Sequence, residues 1–94
     1  MALLSPDAIA HRLPALPGWT STPEGLTRTF IRKDFLDAVA LVDAIAPLAE
    51  AADHHPDLLV HGYKRVTCTL ITHDAGGITE KDFALAEAIS RAAG

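Results

Sequence analysis

A single cysteine, Cys68, stands in the 94 residues, so no disulfide can form within one chain and no CxxC metal or redox motif exists. Aromatic residues are almost as scarce: Trp19, Phe30, Phe35, Tyr63 and Phe83 are the full set. The hydrophobic fraction of 49% argues for a folded chain, yet much of it is alanine, which buries little area per residue. A core of this kind lies near the lower size limit for independent folding. Association into a homodimer or homotetramer would bury further apolar surface and is expected. Concentrated positive charge is also missing. Eight basic residues are scattered along a chain of net charge −4, which excludes the basic stripe that a nucleic-acid backbone requires. No apolar run is long enough to span a membrane, and MALLSPDAIA lacks the basic n-region of a signal peptide. These absences point to a single domain over 1–94, with the cytoplasm as the expected compartment.

What is present reads as alternating short elements. Ser5-Pro6-Asp7 is a helix start, with a serine cap, proline at the first position and an acid in the first turn. That helix is expected to end near Leu13, before Pro14. Trp19 to Thr22 and Leu26 to Arg32 have the content of a hairpin turning at Pro23-Glu24-Gly25. Asp34 caps a second helix, in which Phe35, Val39, Val42, Ile45 and Ala46 fall at helical spacing and are expected to form the buried stripe. Pro47 predicts a kink, after which the pattern resumes to about Ala52.

Beyond that helix the period drops to two. Leu58 to Tyr63 and Val66 to His73 read as strands, with Gly62 marking a local irregularity. In the second, Val66, Cys68 and Leu70 share one face, and Thr67, Thr69, Ile71 and His73 the other. Asp74 to Gly77 breaks the strand. Thr79 caps a last helix, with Asp82 at its third position in a variant of the capping box and Phe83, Ala86 and Ile89 as the core stripe. The order α-β-β-α-β-β-α predicts an α+β, two-layer fold: a four-stranded antiparallel sheet with three helices on one face. The opposite sheet face is left bare, and edge strands offer contacts to a second copy.

The chemistry gathers around EAADHHP, Glu50 to Pro56, where the second helix must stop at proline. Glu50 stands four residues before His54, a spacing at which its carboxylate meets that imidazole on a helix. Pro56 drives His55 out of helical geometry, so the two rings should diverge. His73 ends a strand at a glycine-rich turn, where loops commonly carry function. Histidine titrates near neutrality and serves as either acid or base. Taken singly, each residue has a structural reading: His54 as a helix-end trim, His73 as an exposed strand end, Asp82 as a cap. His11 and His61 read as surface residues. A metal site ranks last, because no pair shows a ligand spacing such as HExxH.

The pattern as a whole is more specific. Glu50-x3-His54-His55-Pro56-x6-Tyr63-x9-His73-x8-Asp82, embedded in DHHPDLL and YKRVTCTLITHDAGGITEKDF, closely resembles the signature of the pterin-4a-carbinolamine dehydratase family. PGW at 17–19, LTRTF at 26–30 and KDF at 33–35 are similar as well, so the resemblance runs in order along nearly the whole chain. It implies dehydration of 4a-hydroxytetrahydrobiopterin, the carbinolamine released by a pterin-dependent aromatic amino-acid hydroxylase, to quinonoid dihydropterin and water in tetrahydrobiopterin recycling. It further implies acid–base roles for His54 and His73, with His54 the expected acid, and a pterin-holding role for His55. Glu50, Asp82 and Pro56 would complete the substrate site, Glu50 by tuning His54 and Asp82 by orienting a histidine. No metal, redox cofactor or covalent nucleophile is implied, because the substrate nitrogen itself expels the hydroxyl. Animal members also act as dimerisation cofactors for a homeodomain transcription factor, so a non-catalytic interaction protein is the alternative.

Overall fold

The computed structural model describes residues 2–94. Helix α1, Pro6–Arg12, begins where Ser5 accepts a hydrogen bond from the Ala8 N–H, and a single 3-10 turn, Leu13–Ala15, follows it. Strands β1, Thr20–Thr22, and β2, Gly25–Ile31, form the first hairpin. Its turn requires glycine at position 25: φ is 128°, and an added Cβ would lie 2.1 Å from the Leu70 carbonyl oxygen. Helix α2, Phe35–Ala52, is capped by Asp34, which accepts from the Asp37 N–H at 2.8 Å. Strands β3, Asp57–His61, and β4, Arg65–Leu70, make the second hairpin, and helix α3, Glu80–Ala93, ends the chain.

The sheet order is β1-β2-β4-β3, antiparallel throughout, so β2 and β4 are central and β1 and β3 are edges. Leu26 and Phe30 of β2, and Val66, Cys68 and Leu70 of β4, point to the buried side. There they meet Leu41 and Ile45 of α2 and Phe83, Ala86 and Ile89 of α3 in one core. Trp19 packs edge-on against Phe30 at 6.3 Å between ring centres and donates its indole N–H to Ser90 at 2.8 Å, which satisfies the one polar atom it buries. No described helix is long and apolar enough to cross a membrane. The two-layer architecture expected from the element order is the one observed.

Three local expectations need correction. The inward face of α2 carries Ala38, Leu41, Ile45 and Ala49, with Val42 packed at its margin, whereas Phe35, Val39 and Ala46 of the expected stripe, and Leu36 beside them, are exposed. Both residue sets have helical spacing, with Ile45 common to them, and selecting the larger side chains chose the wrong phase. Alanine at 38 and 49 instead lets the helix sit close to its neighbours. Secondly, α2 is unbroken through Pro47. The carbonyl one turn earlier belongs to exposed Asp43, so the missing donor falls on the solvent side. Thirdly, both later strands are shorter than expected. Strand β3 stops at His61, before a turn in which Gly62 and Tyr63 have φ of 53° and 52°, and β4 stops at Leu70.

Arg12 ties α1 to α3 by pairing with Glu80 while its guanidinium lies 4.3 Å from the centre of the Phe83 ring. The hydrogen bond from Arg12 holds the Glu80 carboxyl below its ordinary value of 4.5. A carboxyl lowered in the folded state adds stability above its unfolded value and loses it as pH falls through the folded one. Glu80→Gln should therefore narrow the difference between urea midpoints measured at pH 6 and pH 3. The change should be small, because exposed ion pairs contribute little.

Candidate active site

The end of α2 explains how two adjacent histidines come to serve different surroundings. Asp53 takes the left-handed conformation, φ 48° and ψ 44°, and its N–H reaches the carbonyls of Ala49 and Glu50. Aspartate is among the few non-glycine residues enriched there. The His54 N–H then returns to the Ala49 carbonyl at 3.1 Å, closing the helix end, before Pro56 prevents any continuation. After this reversal His54 lies buried against α3, and His55 faces outward.

His54 Nε2 lies 2.6 Å from Asp82 Oδ1, and Asp82 is wholly buried. The other oxygen of Asp82 accepts from the Thr79 N–H and from the Thr72 hydroxyl, each at 2.9 Å. Thr72 and Thr79 are in turn joined through their hydroxyls at 2.8 Å. Asp82 thus divides its oxygens between two tasks: Oδ2 completes the capping box of α3, and Oδ1 holds the histidine. An ionised carboxylate can only accept, so with Asp82 ionised the proton of this bond is on Nε2 of His54.

Glu50 does not meet His54. Its Oε2 lies 2.8 Å from Nε2 of His55, and both side chains are exposed. The expected pairing required His54 to remain helical, but the helix ends at Ala52 and the left-handed residue rotates the following two side chains. This correction moves the tuning role: any influence of Glu50 acts on His55, and the carboxylate next to His54 is Asp82.

His73 lies in the turn between β4 and α3, where the Thr72 N–H reaches Gly77 O at 3.0 Å and the Gly76 N–H reaches His73 O at 3.1 Å. The N-terminal segment flanks this turn through Leu4 N–H to Ile78 O at 2.9 Å. A polar cavity of about 220 Å³ brings His54, His55 and His73 together with Asp53, Asp74, Ile71, Thr72 and Lys81. Glu50 and Asp82 stand behind the histidines they bind, and Pro56 is half-buried outside the lining. Among the described residues, no group of three or more His, Cys, Asp or Glu side chains could hold a metal ion.

Lys81, Thr72 and Thr79 were not singled out by sequence reasoning as site residues. Lys81 did leave a signal: it sits in the first turn of α3, where the helix dipole disfavours a cation. Thr72 left one too: it continues the inward face of Val66, Cys68 and Leu70, where a hydroxyl needs a buried partner.

Comparison with known proteins supplies the family. The family described as "Pterin 4 alpha carbinolamine dehydratase" matches residues 2–92. A relative from Chloroflexus aurantiacus named "Putative pterin-4-alpha-carbinolamine dehydratase" is 49% identical over 94 residues, covering 100% of both chains. One of the same name from Thermomicrobium roseum is 46% identical over 93 residues, covering 99% of each. Among solved structures, a transcriptional coactivator/pterin dehydratase from Brucella melitensis superposes with a TM-score of 0.89 at 38% identity, over 97% of this chain and 98% of that one. A pterin dehydratase-like protein identified as a RuBisCO assembly factor in the alpha-carboxysome superposes at 0.65 with 26% identity, over 81% and 87%. Matched from end to end, in sequence and in fold, the chain belongs to the pterin-4-alpha-carbinolamine dehydratase family.

Proposed function

We propose that the chain is a hydro-lyase converting 4a-hydroxytetrahydrobiopterin to quinonoid dihydropterin and water. The observation that carries this reading is the buried His54–Asp82 pair opening onto a cavity shared with His55 and His73. In the reaction the C4a–O bond breaks as the hydroxyl takes up a proton, N5 loses its proton, and the N5 electron pair forms the C4a=N5 bond. One acid and one base suffice. His54 acts as the acid through Nδ1, while the Asp82 carboxylate accepts from Nε2 and compensates the charge on the protonated ring. His73, exposed on its turn, takes the N5 proton. His55, anchored by Glu50, holds the pterin ring. A pterin-dependent aromatic amino-acid hydroxylase supplies the substrate. No metal or redox group enters, since the ring nitrogen expels the leaving group.

A second reading, a non-catalytic interaction role, draws on the two solved relatives whose names include coactivator and assembly-factor functions. It also draws on exposed Phe35, Leu36 and Val39 along α2. We assign that stripe to a second copy of the chain, in a homodimer or homotetramer, because it would bury the apolar area that a core poor in aromatics lacks.

Three outcomes are expected. The double variant His54→Ala/His73→Ala should lose nearly all rate enhancement in a dehydration assay with enzymatically generated carbinolamine. Each single variant should retain some activity, as acid–base assistance is worth roughly 10²–10⁴-fold; a folded double variant turning over like wild type would sink the mechanism. Asp82→Asn should lower kcat by on the order of 10²-fold or more, while ¹⁵N NMR shows the His54 tautomer changed. A loss of stability alone, with kcat and tautomer unaltered, would confine Asp82 to capping. Light scattering at micromolar concentration should report a dimer or tetramer, and Leu36→Glu should lower the mass towards that of one chain.

A further inference from the structure

A second cavity adjoins the polar one and differs from it in chemistry. It is a groove of about 300 Å³ between the C-terminal half of α2 and the first three turns of α3, lined by Leu48, Ala51, Ala52, Ala84, Leu85 and Ala88. Its remaining lining comes from His54 and Lys81, which also line the polar cavity, so the two spaces meet across those side chains. The polar cavity alone, about 220 Å³, is smaller than the roughly 300–1,000 Å³ of ordinary small-molecule sites, and the two joined fall within that range. His54 delivers its proton at this junction, so a ring held against it has one edge towards the polar turn and the other towards the groove.

The groove exists because its walls are alanines. Ala51 and Ala52 on α2 face Ala84 and Ala88 on α3, and a larger side chain at any of them would fill it. The small residues need not serve helix contact, because Ala51, Ala52 and Ala84 remain exposed. Apart from His54 and Lys81, the lining offers apolar side chains only, so an occupant gains by burying hydrocarbon.

We propose that this groove is the subsite for the substituent that the substrate's reacting ring carries, and that it selects rings bearing a short carbon chain over rings bearing none. The proposal rests on the dehydratase reading for the ring in the polar cavity. Lys81 lines both spaces, and a lysine can lay its methylene stem along apolar surface while its ammonium stays in polar surroundings. Selection here is carried by the aliphatic part of the substituent, and hydroxyl groups on it cost binding unless they reach Lys81 or His54.

The test compares 4a-hydroxytetrahydropterins bearing hydrogen, propyl or dihydroxypropyl at the ring carbon next to N5. In parallel, calorimetry measures binding of the corresponding fully oxidised pterins, which cannot be dehydrated. Wild type should favour propyl over hydrogen by on the order of tenfold in KM and in Kd. Ala84→Leu, a change on an exposed helix position that suits leucine, should bring both ratios close to one. Ala92→Leu, exposed on the same helix away from the groove, should keep them.

Equal KM and Kd for hydrogen and propyl in wild type would overturn the proposal and leave the dehydratase reading standing. Selective binding of the propyl pterin, abolished by Ala84→Leu but without dehydration of any substrate, would uphold the subsite and overturn that reading. Failure to bind or turn over any of them would overturn both. If Ala84→Leu alters the oligomer mass and leaves the ligand ratios intact, the groove belongs to contact between copies and the proposal is wrong.

Discussion

The hydrogen bond between His54 and Asp82 joins every part of the structure that matters to the site. One partner follows the end of α2 and the other lies in the first turn of α3, so the bond fixes the two helices to each other at the point where the cavity opens. The same carboxylate reaches Thr72, the first residue of the turn that bears His73. Removing one partner of a buried charged pair leaves the other unsatisfied, at a cost of about 3–5 kcal/mol where both are ionised. For a chain this short that is a large share of the total stability. Fold and site are therefore not separable at Asp82, which must be acidic for the cap and buried for the histidine.

The core around that bond is assembled from little. Five aromatics and many alanines cannot fill a wide space, so the helices approach closely through Ala38, Ala49 and Ala86, all nearly or fully buried. Alanine costs no side-chain entropy and is the best helix former, which offsets part of the apolar area it fails to bury. Phe35, Leu36 and Val39 of α2 are consequently left exposed. A bare stripe on one helix and a compact interior are two results of the same composition.

Much of this was legible in the sequence, and the gaps have physical reasons. The element order, the β4 alternation and the α3 stripe followed from periodicity, because Val66, Cys68 and Leu70, or Phe83, Ala86 and Ile89, have no competing phase. The α2 stripe was misassigned because an alanine-rich helix carries two apolar phases, and only packing chooses between Ala38-Leu41-Ile45-Ala49 and Phe35-Val39. The three histidines were found and do share one cavity, although their roles rest on family resemblance. The partnership of Glu50 was misread for a local reason. Helical spacing was extended across a residue that had left the helix, and a single positive φ at Asp53 exchanged the partners of His54 and His55. Lys81 and Thr72 left local signals, a cation in the first turn of α3 and a hydroxyl on the inward face, but the cavity that joins them to the histidines depends on contacts between segments.

The left-handed residue also divides the work of the site. Had the helix continued, His54 and His55 would have projected about 100° apart, with Glu50 in reach of the first. The reversal instead gives one ring a buried carboxylate and the other an exposed one. The buried ring is held by a carboxylate that solvent does not reach, which would suit the proton donor we propose it to be. The outward ring and His73 are exposed on segments outside the helices and the sheet, where loops commonly carry function. Adjacent histidines in a sequence thereby become a buried group and an exposed one, and the backbone of Asp53 is what separates them.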